Sequence, residues 1–335
     1  MKTPTAMRLQ RNSGFSLIEL MIGVALGLIV LAALTSFFVS TSANRHEIER
    51  TSRQIENGRF AIDTLRSELH LAGFYVELQQ TGAAWQMPDP CATDLPSMGF
   101  ALGPPLKLPL PISGYAMDAA MPGCLTDKVP GTDVLVIRRF NTEVTPQASP
   151  VAAQYYFQPS RCANDSNALP WVFNAGSSGA FAQLHRVDCA TFADLYRFRV
   201  AIFYLRTWSV TAGDNIPTLV KLELDNGVIN VYPMVEGIQD MRFEYGIDTT
   251  NDGGADEFRR CDTVTTCTAD QWAGVTTVRA NLLAVNLEPT LGYKDDKVYD
   301  MGSGKPNTVG PFGDQYKRHI YAAVITLPNR TGPKE

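Results

Sequence analysis

The sequence predicts an α+β fold. One long N-terminal helix, its first half transmembrane and its second half amphipathic, is expected to pack on an antiparallel, β-rich globular head. Three observations predict it. Residues 15–40 form an apolar run with a single charge. No proline occurs between Pro4 and Pro88, so nothing of that kind breaks a helix continuing from that run. Beyond residue 76 the pattern changes to short alternating or apolar runs set off by Gly, Pro, Asn and Asp, with no helical repeat between them. The 335 residues, 45% hydrophobic and 19% charged, can bury a core in one large or two modest domains. Disordered, collagenous and multi-span membrane classes are thereby disfavoured. A net charge of −5 carries no basic excess, so no nucleic-acid partner is indicated.

The chain opens with a polar leader, residues 1–14, that contains Lys2, Arg8 and Arg11 and no acid. The 26 residues from Phe15 to Ser40 follow. As a helix they would reach roughly 39 Å, against a hydrocarbon core of about 30 Å. The basic leader assigns the cytoplasmic side to the N-terminus and the periplasm or exterior to the remainder. A secretory signal peptide has a shorter apolar region followed by a small-residue cleavage site, and no such site follows here. Gly23 and Gly27 form a G-x-x-x-G pair suited to close helix approach, although small residues also fit simple bilayer compatibility.

The second half of the helix, residues 41–75, places Ile48, Ile55, Ile62 and Leu69 at seven-residue intervals, with Leu65 and Ala72 completing a stripe. Charged residues cover the other faces, as in an amphipathic helix. The stripe lacks apolar residues at 51 and 58, which favours packing on the chain's own head over a free coiled coil. Gly73 marks the C-terminus of the helix.

An ordinary membrane anchor leaves Glu19 unexplained. A carboxylate at mid-membrane costs on the order of 2.5–3.5 kcal/mol, and no Lys, Arg or His lies between Phe15 and Asn44 to pair with it. Its partner must come from another chain or a newly made terminus. The stretch Gly14-Phe15-Ser16-Leu17-Ile18-Glu19-Leu20, after a short basic leader, resembles the prepilin signature of type IV pilins and type II secretion pseudopilins. That resemblance implies cleavage after Gly14 by a prepilin peptidase, N-methylation of Phe15, and pairing of Glu19 with a neighbouring subunit's terminal amine during assembly. Two opposite charges in a low dielectric would relieve each other's burial. Loss of the three leader cations would take the formal charge from −5 to −8.

Residues 55–75, IENGRFAIDTLRSELHLAGFY, resemble the PilW group of minor pilins, as does YPMVEGIQDMRFEYGIDTTNDGGADEF at 232–258. This implies a type IV pilin-like fold and a non-enzymatic structural minor pilin that helps initiate pilus assembly and sits at or near the tip. The implied partners are other minor pilins, the major pilin through N-terminal helices, and a tip adhesin. The implied location is the inner membrane, single-pass with a periplasmic head, and then the pilus at the cell surface. The alternatives are the J-type minor pseudopilin of type II secretion and an adhesive or ligand-binding head built on residues 77–195.

The head, residues 76–335, offers strands at Asp133–Phe140, Arg197–Trp208, Leu219–Leu224, Val228–Tyr232, Gln239–Tyr245, Val275–Asn286 and His319–Leu327. Nine prolines between Trp85 and Gly131 suggest a surface excursion at about 85–131, held by its own bridge. Six cysteines, all beyond residue 90, fit three disulfides in an oxidising compartment. Sequence proximity pairs Cys91 with Cys124, Cys162 with Cys189 and Cys261 with Cys267, although fifteen connectivities are open.

No cofactor is required by this reading, but DTTNDGGADEF is a candidate Ca2+ loop. Asp248, Asp252 and Asp256 stand at positions one, five and nine, with Gly253 at six. Thr250 at three and Arg259 at twelve depart from the EF-hand pattern, and a plain acidic, glycine-rich turn reads equally from the same residues. The sequence contains no G-x-S-x-G elbow, H-E-x-x-H, G-x-x-x-x-G-K-[ST] phosphate loop or G-x-G-x-x-G after a strand, so it offers no specific reason to propose an enzyme.

Overall fold

The computed structural model describes residues 14, 16–76, 84–103, 105–117, 119–166, 170–302 and 307–331. The chain divides into two compact units, residues 1–51 and 52–335. Helix α1 (Leu17–Leu71) is continuous through 55 residues. In the first unit its large apolar side chains are exposed, from Leu17 through Val39.

Within the second unit the chain runs through β1 (Ala84–Gln86), β2 (Lys107–Pro109), β3 (Ile112–Tyr115), β4 (Val134–Thr145), β5 (Tyr155–Pro159), α2 (Ala163–Ser166), β6 (Trp171–Ala175), β7 (Leu195–Arg206), β8 (Thr218–Asp225) and β9 (Val228–Glu236). It continues through β10 (Ile238–Ile247), β11 (Glu257–Arg259), α3 (Ala269–Ala273), β12 (Val275–Val285), β13 (Tyr299–Asp300), β14 (Thr308–Val309) and β15 (Arg318–Thr326). A seven-stranded antiparallel sheet has the path β3-β4-β7-β5-β6, with β8 on β7 and β9 on β8. One edge of β7 is shared, pairing with β5 at Tyr196 and Arg197 and with β8 from Ala201 to Arg206. A second antiparallel sheet has the order β11-β10-β12-β15. All seven strands expected from the sequence are present. The fold is therefore a long N-terminal helix whose second half packs on antiparallel sheets.

Side-chain alternation divides the interior in two. Leu135, Ile137, Ala201, Phe203 and Leu205 join Ala61, Ile62, Leu65 and Leu69 of α1 and the inner face of β10 and β12. Val134, Val136, Phe198, Val200 and Ile202 face a second core with Tyr75, Met98, Leu108, Phe140, Phe157 and Trp171. A sheet covered on both faces demands unbroken apolar strands, which is why Val134–Ile137 reads as a run without alternation.

The helix corrects the sequence reading. Its buried residues in the head are Gln54, Gly58, Ala61, Ile62, Leu65 and Leu69, whereas Ile48 is 69% and Ile55 37% exposed. Docking follows the predicted stripe at Ile62, Leu65, Leu69 and Ala72, while nearer the N-terminus hydrogen bonding and close approach at Gln54 and Gly58 take the place of Ile48 and Ile55. Gln54 Nε2 donates to the carbonyls of Ala284 at 3.0 Å and Lys317 at 2.8 Å. A methyl at Gly58 would fall 2.6 Å from Cζ of Tyr321, and closer still to Cδ2 and Cε2. Only glycine lets that ring lie against the helix.

The proline-rich stretch is also more than a surface excursion. Leu108 and Leu110 are fully buried and Met98 nearly so, and the stretch lines the second core. Arg138, 1% exposed, ties it down: Nη1 donates to the Leu110 carbonyl and Ser113 Oγ, and Nη2 to the Pro88 carbonyl. Prolines lack the N–H a sheet needs but keep their carbonyls, and a buried guanidinium supplies the missing donors.

Candidate functional site

The amino-terminal segment is built by the helix start. Gly14 is exposed, and an added Cβ there would meet no other atom within 4 Å. Residues 1–13 and Phe15 lie outside the described residues, so the leader and the methylation position remain expectations. Helix α1 begins at Leu17, and Glu19 falls in its first turn. Glu19 Oε2 accepts the Ser16 backbone N–H at 3.0 Å. An acid here satisfies one of the orphan donors of a helix start and complements the helix dipole. It also sets a carboxylate beside the backbone one residue beyond Phe15.

Glu19 thus has a local role in the single chain, which the spacing argument did not include. Its neighbours lack partners within the unit. Leu17, Ile18, Leu20 and Met21 are each more than 60% exposed, and the most apolar window of the helix has no buried residue. By length and composition this helix can cross a membrane. Thr35 Oγ1 donates to the Leu31 carbonyl at 2.8 Å, which satisfies a hydroxyl that an apolar surrounding would otherwise leave stranded. Gly23 and Gly27 have open space around them.

The head is braced by cross-links and buried charges. Cys91 is bonded to Cys124, Cys162 to Cys189 and Cys261 to Cys267. Asp133, 3% exposed, accepts the backbone N–H groups of Met117 at 2.8 Å and Phe243 at 2.9 Å, and faces Arg260 at 3.4 Å. Burial raises its pKa, opposed by those donors and by Arg260 and Arg242. Arg318 pairs with the fully buried Asp295 at 2.8 Å and with Asp314 at 2.6 Å. None of these buried partners was marked as a site by the sequence. The glycine inside an otherwise strong helix was the one readable clue to the Gly58 seam.

The acidic loop does not gather its carboxylates into a ligand set. Asp248, 5% exposed, accepts the backbone N–H groups of Thr250, Asn251 and Gly253. Asp256 accepts the N–H and hydroxyl of both Thr249 and Thr250, and those bonds lower its pKa. Asp252 accepts the Gly254 N–H. Among the described residues no group of three or more His, Cys, Asp or Glu is arranged to hold a metal. The carboxylates serve the turn because Asn251 and Gly253 adopt positive φ and bring their amides inward. His185 Nδ1 sits 2.8 Å from Asp165, with Phe192 stacked on its ring.

Residues 202–329 match the family "Type IV Pilus-assembly protein W", and residues 9–35 match the prokaryotic N-terminal methylation motif. No curated protein matches the chain. Among solved structures, a type IV-like pilin from Thermus thermophilus is similar at 9% identity and a TM-score of 0.36, over 83% of this chain and 97% of that one. The PilW resemblance and the methylation motif read from the sequence are thus recovered, and the motif implies prepilin peptidase processing in a pilus-assembly setting.

Proposed function

With the PilW match and the methylation motif as premise, we propose that the chain is a non-enzymatic minor pilin that helps initiate type IV pilus assembly and sits at or near the pilus tip. It waits in the inner membrane by residues 15–40, with the head in the periplasm. After cleavage following Gly14 the helix leaves the bilayer and packs among other pilin helices. Two terms favour that transfer. The exposed apolar surface of residues 17–39 gains close packing with other helices, and Glu19 exchanges its own-chain amide for the terminal amine of a neighbour. The observation that carries this reading is an acid in the first turn of an unburied apolar helix, directly after a Gly-Phe processing signal.

Mass spectrometry of the protein recovered from cells tests it, since the mass reports leader removal and terminal methylation together. Mature protein beginning at N-methylated Phe15 is expected; a working protein that still begins at Met1 overturns the assignment. Glu19→Ala should be processed normally yet recovered from sheared pili at about a tenth of the normal level or less, the factor corresponding to roughly 1.4 kcal/mol of lost pairing. Unchanged recovery removes the charge-pairing argument. Deleting the chain should abolish twitching motility and spare exoprotein release, and the opposite outcome assigns it to type II secretion.

A further inference from the structure

Helix α1 is not closed by its own backbone. Leu71 is its last residue, and Gly73 turns the chain away at φ +70°. A glycine in that place commonly returns its N–H to the carbonyl three residues back, here His70. Instead the Gly73 N–H goes to the Arg138 carbonyl at 3.0 Å, and the Phe74 N–H to that of Leu71 at 3.1 Å. The His70 and Ala72 carbonyls must find donors elsewhere.

The segment after β15 supplies them. Asn329 Nδ2 donates to the His70 carbonyl at 3.2 Å and to the Ala72 carbonyl at 3.3 Å, across sequence separations of 259 and 257. Arg330 carries the grip inward. Its stem lies on the helix end, since a methyl at Gly73 would fall 3.0 Å from Arg330 Cδ. Its Nη2 donates to the Ala273 carbonyl of α3, and its guanidinium sits 5.1 Å from the centre of the Trp85 ring in β1.

This segment is anchored at Leu327, which is fully buried and donates its N–H to the Thr276 carbonyl at 2.8 Å. The N–H groups of Arg330 and Thr331 both return to the Leu327 carbonyl, so residues 327–331 form one turn. Beyond the anchor Pro328, Asn329 and Thr331 are exposed. Burial lowers the pKa of Arg330, so closing the turn works against desolvation of its charge. A unit with few buried contacts opens at lower cost than the sheets it rests on.

We propose that residues 327–331 are a conformational clasp, which opens and closes as one unit with the last turn of α1 while both sheets stay folded. Closed, it caps the helix and holds Arg330 against Gly73. Open, it returns the His70 and Ala72 carbonyls to water and lets the helix end adjust against the head. The clasp involves only residues of the head, so it stands apart from the pilus reading.

Amide hydrogen exchange on the full chain in detergent tests it. In the unaltered protein Arg330 and Thr331 of the clasp and Ala72 and Phe74 of the helix end should exchange at similar rates. Those rates should be about a hundredfold or more above those of Ala280 and Leu282 in β12, which report global unfolding. Asn329→Asp keeps the size of the side chain but removes the donor. It should speed Ala72 and Phe74 about tenfold and leave Ala280 and Leu282 unchanged. Helix-end amides that exchange no faster than β12 in the unaltered protein would overturn the proposal, because the clasp would then open alone or not at all. An unchanged rate at Ala72 and Phe74 in the variant would do the same. So would equal acceleration of β12, which would make Asn329 an ordinary contributor to global stability.

Discussion

Replacing Gly58 with alanine sets two known effects against each other. In an exposed helix the change should stabilise by about 1 kcal/mol, because glycine is the poorer helix former. Here the new methyl would lie 2.6 Å from Cζ of Tyr321 and nearer still to two other ring carbons, where ordinary contact begins at 3.4 Å. The ring must retreat by about an ångström, and overpacking of that kind costs about 1–3 kcal/mol. The clash prevails, for a net loss of up to about 2 kcal/mol. In a domain of this size that lowers Tm by roughly 4–8 °C, at about 2–4 °C per kcal/mol. Thermal unfolding followed by near-ultraviolet circular dichroism reads it. The control is Tyr321→Ala, which removes the obstacle. In that background Gly58→Ala should raise Tm, so the substitution changes sign and the pair shows a coupling energy of about 1–3 kcal/mol. Equal stabilisation by Gly58→Ala in both backgrounds would refute the claim that this glycine exists for the ring.

Removing Cys91–Cys124 should destabilise the head more than removing Cys261–Cys267, because the sequence separations are 33 and 6. The chain-entropy relation puts the difference at about 1.4 kcal/mol, and urea midpoints of the two serine double variants would measure it. Asp248→Ala strands the Asn251 and Gly253 amides, while Thr250 keeps its bond to Asp256, and should cost about 1–3 kcal/mol. Millimolar calcium should leave the Tm of the unaltered protein in place if the loop is a plain turn, and a rise that Asp252→Ala abolishes would assign calcium to it. Thr191 holds the Asp188 carboxyl down to about 2, and the Ile216 amide, with those of Ser209, Thr211 and Val210, does the same for Asp214. A depressed folded pKa contributes stability above the ordinary value of 3.8 that is lost as pH falls toward 2. Both carboxyls lie at the surface, where solvent screens their contribution, so Tm should drop modestly from pH 4 to pH 2 and Asp214→Asn should flatten that slope; an unchanged slope would remove Asp214 as a cause.

The strands that the sequence announced are the long ones. These are β4, β7, β8, β9, β10, β12 and β15, each eight to twelve residues long, so an apolar or alternating pattern has room to show. The five-residue strands β5 and β6 escaped, since Tyr155–Pro159 ends in a proline and Trp171–Ala175 follows one. Their strand character comes from partners across the sheet, which no local pattern records. The helix shows the same division within one element. Its existence and length were legible because no proline interrupts it, and so was the part of its buried face at Ile62, Leu65, Leu69 and Ala72; the part at Gln54 and Gly58 was not, because it is chosen by the carbonyls of Ala284 and Lys317 and by the Tyr321 ring.

By itself the sequence determined the N-terminal methylation motif, the apolar run with its acid, the helix that follows and the strand-rich nature of the head. All of these are properties of neighbours along the chain, fixed by hydrophobic period, charge and backbone geometry. Tertiary structure alone decided that Gln54 and Gly58 would outrank Ile48 and Ile55, that Arg138 would draw a proline-rich stretch into the core, and that the acidic loop would spend its carboxylates on its own amides. The first two outcomes depend on side chains finding partners tens or hundreds of residues away. The cost of leaving such groups unpaired is known only once the chain has closed around them.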